Sequence, residues 1–371
     1  MVTKPSDFID WATGSATVTE PSSGLKSSGW SADDVVADGH INWLLKRLDE
    51  WVQYLEEKDS YIITHVWDER SNPKSFDLND IFDTGSLFVA VGNADGTDAY
   101  IVTSTDGITW TERSNPKNYD LYGIAHNGSL FVAVGAADGT GAYIVTSSDG
   151  ITWIERSNPK NFALNSVVYD SNNSLFIAVG AADGTDAYIV TSSDGITWTE
   201  RSNPKNFALK DIATDNSGLL IAVGDADGTD AYIITSPDGI TWTERSNPKN
   251  FRLLGVAYNQ NMKYWVAGGD SDGSDAYILA SNDGLSWVEQ KNNYTSISSL
   301  VYNEYRKLVI GGVAIGPDNL VVSGTGREQW HEILSTVPYN SSGGYASFTS
   351  GKRLIGVGSA EGSDALIAES K

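Results

Sequence analysis

Short apolar segments separated by polar turns repeat along most of the chain, and their order predicts antiparallel strands. One copy contains the apolar run 130–135, the segment Ala142–Ser147 and the turn Asp149-Gly-Ile-Thr-Trp153. A run that is apolar at nearly every position is typical of a strand covered on both faces, whereas Ala142–Ser147 has the composition of a half-buried strand. The connections are too short for crossover helices, so each copy predicts a four-stranded antiparallel meander.

A regular tryptophan spacing sets the length of this repeat. The tryptophans stand 43 to 45 residues apart, at Trp67, Trp110, Trp153, Trp198, Trp242, Trp287 and Trp330. Strand repeats of this length are typical of β-propellers. The third strand occurs seven times and has no fourth-strand partner in its last copy, so we expect the strand near Trp67 to close the ring. The predicted fold is all-β, a seven-bladed β-propeller of four-stranded antiparallel blades over residues 61–371.

The first 60 residues differ from the repeats, because an irregular segment is followed by one amphipathic helix, predicted over about 39–57. Asp38 is a suitable cap, and the apolar positions keep the spacing of one helix face: Ile41, Leu44, Leu45, Leu48, Trp51, Val52 and Leu55. The repeats offer no second helix to cover this face. Self-association is the favoured interpretation, and docking on the propeller or on another protein is the alternative.

Composition narrows the classes of partner. The formal net charge of −23 disfavours nucleic acid and anionic membranes, so we expect no nucleic-acid partner and no membrane insertion. Cysteine is absent, so packing and ring closure must supply the stability. Met1-Val-Thr-Lys-Pro5 is not followed by an apolar run, and no signal peptide is therefore expected.

The N-terminal segment resembles that of tailed-bacteriophage tail fibre and related tail proteins. The resemblance rests on an ordered series of residues: Lys4-Pro-Ser6, Trp11-Ala-Thr-Gly14, Thr19-Glu-Pro-Ser22, Lys26, Gly29-Trp30, Asn42-Trp-Leu-Leu45, Trp51 and Tyr54-Leu55. It implies a virion-attachment and oligomerisation segment, often trimeric, formed by residues 1–60. The residues expected to act there are Trp11, Trp30, Ile41, Trp43, Leu44, Leu45, Leu48, Trp51 and Leu55. The chain departs from the family at Asp33-Asp-Val-Val-Ala37, where a Pro-Pro-Ala element is usual.

The turns before the tryptophans resemble a shortened form of the Asp-box of sialidase-like propellers. Ser104-Thr-Asp-Gly-Ile-Thr-Trp110 has copies that begin at Ser147, Ser192, Ser236 and Ser281. In that family the aspartate stabilises the turn between the third and fourth strands. We therefore expect turn roles for Asp106, Asp149, Asp194, Asp238 and Asp283.

Sialidase chemistry itself is not expected. In the family it needs unlike groups at unequal positions, whereas five arginines here occupy one repeat position: Arg70, Arg113, Arg156, Arg201 and Arg245. The chain is predicted to be no enzyme and to need no cofactor.

Two repeated features are candidates for ligand binding. The turn between the second and third strands and the Ser-Asn-Pro-Lys connection should share one side of the ring, opposite the Asp-Gly turns. An aromatic residue recurs beside this connection and is expected either to stack on sugars or to plug the seam between blades. These residues are Phe76, Tyr119, Phe162, Phe207, Phe251, Tyr294 and Tyr339.

Two acidic turns are weak calcium candidates. They carry alternating carboxylates, at Asp225, Asp227 and Asp230 and at Asp270, Asp272 and Asp275. The simpler interpretation is a glycine turn whose acids are solvated or linked to the nearby lysines.

Together these features predict a phage tail-associated protein, made in the host cytoplasm and located in the virion tail. Residues 1–60 would bind other tail proteins, a homotrimer being favoured, and the propeller would bind a host-surface glycan or protein. A non-adhesive structural or decoration protein is the first alternative, and a glycan hydrolase of sialidase-like fold is the second.

Overall fold

The computed structural model describes residues 67–70, 73–290, 292, 296–303, 308–315, 318–324, 330–333, 345–348, 354–361 and 364–370. These residues belong to one compact unit, His65–Lys371. They form strands, bends and turns without a helix, so a helix long and apolar enough to span a bilayer does not occur among them. The attachment segment and helix predicted within residues 1–60 lie outside the described residues.

The strands are β1 (Trp67–Glu69), β2 (Leu78–Asp83), β3 (Phe88–Ala94), β4 (Ala99–Ser104), β5 (Thr111–Glu112), β6 (Leu121–His126), β7 (Phe131–Ala137), β8 (Ala142–Ser147), β9 (Ile154–Arg156), β10 (Leu164–Asp170), β11 (Leu175–Ala182), β12 (Ala187–Ser192), β13 (Thr199–Arg201), β14 (Leu209–Thr214), β15 (Leu220–Ala226), β16 (Ala231–Ser236), β17 (Thr243–Glu244), β18 (Leu253–Asn259), β19 (Tyr264–Ser271), β20 (Ala276–Ser281), β21 (Val288–Gln290), β22 (Ile297–Asn303), β23 (Leu308–Ile315), β24 (Asp318–Gly324), β25 (Trp330–Ile333), β26 (Tyr345–Phe348), β27 (Leu354–Glu361) and β28 (Asp364–Ser370).

Consecutive strands pair into four-stranded antiparallel sheets, as the meander prediction requires. We name five of them blade 1 (β2 to β5), blade 2 (β6 to β9), blade 3 (β10 to β13), blade 4 (β14 to β17) and blade 5 (β18 to β21). A further sheet has the order β22-β23-β24-β25, and another has the order β1-β28-β27-β26. The all-β, propeller-type arrangement of four-stranded blades predicted from the sequence is therefore confirmed.

The sheets are arranged side by side through their first strands. β2 contacts β6, β6 contacts β10, and the series continues through β14 and β18 to β22. β26 contacts both β22 and β2, and β1 pairs with β28 in the register Trp67↔Ser370. The two ends of the described chain thus share one sheet, which leaves no free strand at that position.

The third strands are more buried than their composition predicts. All six residues of β8 are buried, and the same holds for β4, β12, β16 and β20. The half-buried interpretation of Ala142–Ser147 was wrong because neighbouring blades cover both faces of the sheet. Its polar residues remain satisfied, since Thr146 Oγ1 accepts a hydrogen bond from Arg156 Nε at 2.9 Å and Ser147 Oγ accepts one from the Gly150 amide at 2.9 Å.

The hydrophobic core consists of separate clusters, each shared by two adjacent blades. Between blades 1 and 2, Val91 and Ile101 pack with Leu121, Tyr143 and Trp153. Equivalent clusters occupy the next three seams. The repeated tryptophans are 5–7% exposed where the structure describes their side chains, so they are core residues of the seams.

A glycine near the end of the second strand of blades 1 to 5 permits close contact with the first strand. A Cβ added to Gly135 would lie 1.9 Å from the Asp120 carbonyl oxygen. A bulge between Leu121 and Gly123 displaces the first strand toward this position, and the Ala136 amide donates to the same carbonyl at 2.9 Å. No side chain fits here without displacing the backbone.

We expect Gly135→Ala to lower the free energy of unfolding by roughly 1–3 kcal/mol, because overpacking at this point forces backbone movement. Gly139→Ala is the control, since Gly139 has φ +93° but open space around it, and its cost is about 1–2 kcal/mol of backbone strain alone. Denaturant unfolding of the full chain measures both. A smaller loss for Gly135→Ala than for Gly139→Ala would contradict the packing argument.

Candidate binding surfaces of the ring

The connection between blades and the turn between the second and third strands meet on one side of the ring, which we call the connection side. In blade 4 the Lys205 ammonium donates to Asp227 Oδ2 and to Glu244 Oε1, each at 2.5 Å. The lysine comes from the Ser-Asn-Pro-Lys connection, the aspartate from the acidic turn and the glutamate from the fourth strand. The same triad recurs in the other four blades as Lys74–Asp95–Glu112, Lys117–Asp138–Glu155, Lys160–Asp183–Glu200 and Lys249–Asp272–Glu289.

Each triad is partly buried at the protein surface. The Asp227 side chain is 0% exposed and that of Lys205 is 35% exposed. Burial works to raise the pKa of Asp227, but hydrogen bonds from Lys205 and from the Asp230 and Thr229 amides outweigh it and lower the pKa to about 2. The carboxylate is therefore charged across the physiological range and holds the lysine in place.

The predicted calcium residues are separated by this arrangement. Asp225 lies 3.3 Å from Lys210, and Asp270 accepts a hydrogen bond from Arg252 Nε at 2.9 Å. Asp227 and Asp230 instead form a group with Glu244, a residue that the spacing argument missed. One carboxylate oxygen from each of the three lies within 4.8 Å of the others. Asp272, Asp275 and Glu289 form the equivalent group.

Hydrogen bonds already occupy much of this acidic group. The Lys205 ammonium contacts two of the three carboxylates, and Asp230 Oδ2 accepts the Asn247 amide at 3.0 Å. The local charge pairs thus match the simpler interpretation of these turns, and a calcium role stays a prediction.

The asparagine of the connection joins each blade to the next. The Asn203 amide donates to Asp186 Oδ2 at 3.0 Å, and its Nδ2 donates to the Ala187 carbonyl at 2.6 Å. Its Oδ1 accepts from the hydroxyl of Tyr232, on the next blade, at 2.7 Å. Asn115, Asn158 and Asn247 accept from the equivalent tyrosines at 2.6–2.8 Å. These polar contacts hold the seam on the connection side.

The aromatic residues predicted to bind ligand lie against this same seam. Phe162 packs on the buried Tyr188 with ring centroids 6.1 Å apart, and Phe76, Tyr119, Phe207 and Phe251 pack on their equivalent tyrosines at 5.8–6.1 Å. All five are partly buried beside the clusters of the core. Their geometry matches the seam-plug alternative, and their role as ligand residues stays a prediction.

The repeated aspartates of the Asp-Gly turns lie on the opposite side, which we call the turn side, and act within their own turns. Asp106 Oδ1 accepts from the Ile108 and Thr109 amides at 2.8 Å and from Ser104 Oγ at 2.9 Å. The other four aspartates accept from the two corresponding amides. The turn role expected for these residues is confirmed.

The first strands enclose a central cavity of about 450 Å³. Polar side chains on its wall bridge adjacent blades: Asn79 Nδ2 donates to the Leu121 carbonyl at 2.8 Å, and Asn165 Nδ2 donates to the Leu209 carbonyl at 2.7 Å. Asp80 Oδ2 accepts the Ile124 amide of blade 2 at 2.8 Å. The wall of the cavity is thus part of the contact between blades.

Asp211 is a carboxyl group of this wall that contacts both neighbouring blades. It accepts from the Val256 amide of blade 5 at 2.9 Å, from Ser166 Oγ of blade 3 at 2.8 Å and from the Ile212 amide at 2.9 Å. Burial raises the pKa of Asp211 to about 6, and the three hydrogen bonds offset only part of that effect. The sequence analysis missed this residue, because the sequence around an aspartate in a strand does not show whether its side chain is buried.

The remaining candidates from the sequence lie outside the described residues. They are Tyr294 and Tyr339 among the aromatics, and Trp11, Trp30, Ile41, Trp43, Leu44, Leu45, Leu48, Trp51 and Leu55 in the attachment segment.

Comparison with known proteins supports a propeller fold. A family model described as the DUF6242 beta propeller domain matches residues 120–252. No curated protein matches the chain.

Solved structures share the architecture at low identity. The chain is similar to YCF48 bound to D1 peptide, with a TM-score of 0.60, 13% identity and coverage of 82% of this chain and 96% of that one. It is also similar to the WD40 beta propeller domain of Doa1, with a TM-score of 0.58, 13% identity and coverage of 82% of this chain and 97% of that one. For U3-55K the TM-score is 0.58 and the identity 10%, with coverage of 82% of this chain and 98% of that one. At such identities the likeness extends to the fold alone.

We expect Lys205→Met to lower the free energy of unfolding by roughly 1.5–3 kcal/mol, because it leaves the buried Asp227 and the partly exposed Glu244 without their shared cation. Lys210→Met is the matched control: its partner Asp225 is 35% exposed, so the loss should be at most about 1 kcal/mol. Urea unfolding of the full chain compares the two. Equal losses would show that the triads do not stabilise the blades.

Asp211 predicts a pH dependence in a different window from the triads. Its folded pKa of about 6 lies above the unfolded value near 3.9, so its contribution to stability is complete below about pH 4 and is lost as pH rises through 6. Asp211→Ser introduces the residue found at the equivalent positions Ser166 and Ser299. Relative to this variant, the wild type should lose on the order of 2–3 kcal/mol of unfolding free energy between pH 4 and 7, measured by urea titrations. Parallel curves would contradict the assignment.

Proposed function

We propose that the chain is a tail-associated virion protein of a tailed bacteriophage, which attaches through residues 1–60 and presents the propeller for host-surface or glycan adhesion. The observation that carries this proposal is the ordered series of motifs from Lys4 to Leu55, because its tryptophans and its predicted amphipathic helix resemble, in the same order, the N-terminal segment of tail proteins. The sialidase-like type of the propeller is part of the same proposal. It rests on the sequence and hydrogen bonding of the Asp-Gly turns.

The proposal also specifies how the propeller is built. We infer seven blades, closed where β1 completes the sheet of β26 to β28. The register Trp67↔Ser370 and the contacts of β26 with both β22 and β2 support this closure. A closed ring needs no partner to cover a sheet edge, so it can be carried at the end of an attachment segment as an independent unit.

A binding role rather than a catalytic one fits the distribution of polar groups. The lysines, aspartates and glutamates of the triads are alike from blade to blade and are spread around the ring, whereas catalysis needs unlike groups that converge. A homotrimer would present three rings together, and linked binding events raise the overall affinity above that of one site.

The proposal is tested by removing the attachment segment. Cutting before Tyr61 keeps β1, so the product should remain folded, with a cooperative thermal unfolding transition, but should no longer be incorporated into particles. A second test is the full chain with Leu45→Asp and Leu48→Asp, which places charges on the predicted helix face and changes no residue of the propeller. Incorporation of either protein at the level of the wild type would overturn the attachment assignment.

Binding experiments on the same truncated protein separate the candidate functions. Adhesion predicts saturable binding to host cells or to purified surface glycans without release of sugar. Absence of binding by a folded propeller that still requires residues 1–60 for incorporation would favour a structural or decoration protein. Release of reducing sugar from the glycan would favour the hydrolase.

A further inference from the structure

One seam on the turn side contains a pocket lined by two phenylalanines and a histidine. The pocket, of about 590 Å³, lies between blades 1 and 2 and is lined by Phe82, His126 and Phe131 together with Asp83 and Asp149. The ring centroids of His126 and Phe131 are 4.2 Å apart, and Phe82 is 5.8 Å from His126 and 6.4 Å from Phe131. This volume falls in the range of about 300–1,000 Å³ that is usual for small-molecule sites.

The pocket depends on residues that the repeat does not conserve from blade to blade. The positions equivalent to Phe82 in the next blades hold small or β-branched aliphatic residues, namely Ala125, Val168, Ala213, Ala257 and Val301. The positions equivalent to His126 hold Asp83, Tyr169, Thr214, Tyr258 and Tyr302. Among these seams only that of blades 1 and 2 brings an aromatic residue at the first position together with a histidine at the second.

The polar groups of the pocket include both a donor and acceptors. His126 Nδ1 accepts a hydrogen bond from the Gly128 amide at 3.1 Å, so the proton of the neutral ring is on Nε2. Burial lowers the pKa of His126, which favours this neutral form.

Asp149 supplies negative charge at the rim. Hydrogen bonds from the Thr152 and Ile151 amides lower its pKa to about 2, and they use Oδ1. The longer 3.3 Å contact with Thr152 Oγ1 involves Oδ2.

We propose that this pocket binds one uncharged hexopyranose unit of a surface glycan, an inference that rests on the proposed adhesion function. The apolar face of a pyranose complements the Phe82 ring, and its hydroxyls can donate to the carboxylates of Asp83 and Asp149 and accept from His126. An anionic sugar would meet two carboxylates and a chain of net charge −23. The ammonium head group of an organic cation has no lone pair to accept the imidazole N–H.

The repeat supplies variants that fit the backbone at these positions. Phe82→Ala introduces the residue of Ala125, Ala213 and Ala257, and His126→Thr introduces that of Thr214. Val168→Ala is the matched control, because it makes the equivalent change in the seam of blades 3 and 4. Thermal unfolding of each full-length variant establishes that it is folded.

The experiment measures binding of methyl glucoside, methyl galactoside, methyl mannoside and methyl N-acetylglucosaminide by ligand-observed NMR, with choline and N-acetylneuraminic acid as charged probes. At least one neutral glycoside should bind, Phe82→Ala should weaken it about tenfold or more, and Val168→Ala should leave it unchanged. Binding of no neutral glycoside, equal binding by folded Phe82→Ala, or binding confined to a charged probe would overturn the proposal.

Cell binding distinguishes this inference from the function on which it rests. Loss of adhesion in Phe82→Ala alone supports both. Adhesion that persists in Phe82→Ala overturns the sugar site but keeps the adhesin, and a wild-type chain that binds no cells or glycans overturns adhesion itself.

Discussion

Coverage of both faces of every sheet is the constraint on which the structure depends. The third strands of blades 1 to 5 are buried throughout, so each of these blades is stable only while its neighbours remain in place. The core is accordingly divided among the seams, where Tyr143 and Trp153 of one blade meet Val91 and Ile101 of the one before. Turns, triads and glycines are arranged so that these faces can approach closely.

Polar contacts fix the register between adjacent blades, which hydrophobic packing alone does not. Apolar faces attract without direction, whereas a seam needs a defined register. Asn203 provides it on the connection side by binding its own blade through its amide groups and the next blade through Tyr232. Asn165 provides it on the cavity wall through the Leu209 carbonyl. The repeated asparagine of the connection is therefore as much a joining residue as the repeated tryptophan.

The fold was largely predictable because its signal is repeated: Trp110, Trp153 and Trp198 mark the same place in successive blades, and the strand pattern between them is unambiguous. The burial of the third strand was not predictable, because Tyr and Thr occur on half-buried strand faces and also on buried faces where their hydroxyls are hydrogen-bonded. Glu244 was missed as a partner of Asp227 since the two meet only after the fourth strand has folded back. Asp211 shares its position with Asp80 but with glycine or serine in the other described blades, and the Phe82 pocket depends on unrepeated residues, so the average repeat shows neither of them.

Residues of the first strands also distinguish each blade from its neighbours. Outer features are nearly the same in blades 1 to 5, but the wall of the central cavity is not. Asp80 faces the segment of Gly123, Ser166 donates to Asp211, and Asp211 faces the segment of Gly255, whose added Cβ would lie 2.7 Å from the Leu300 amide. An exchange of neighbouring blades would change these pairings, whereas blades 1 and 4 both carry aspartate and blades 2 and 5 both carry glycine at this position. Repeats that resemble one another on the outside thus differ from their immediate neighbours on the inside, and this difference disfavours pairing between the wrong neighbours during folding.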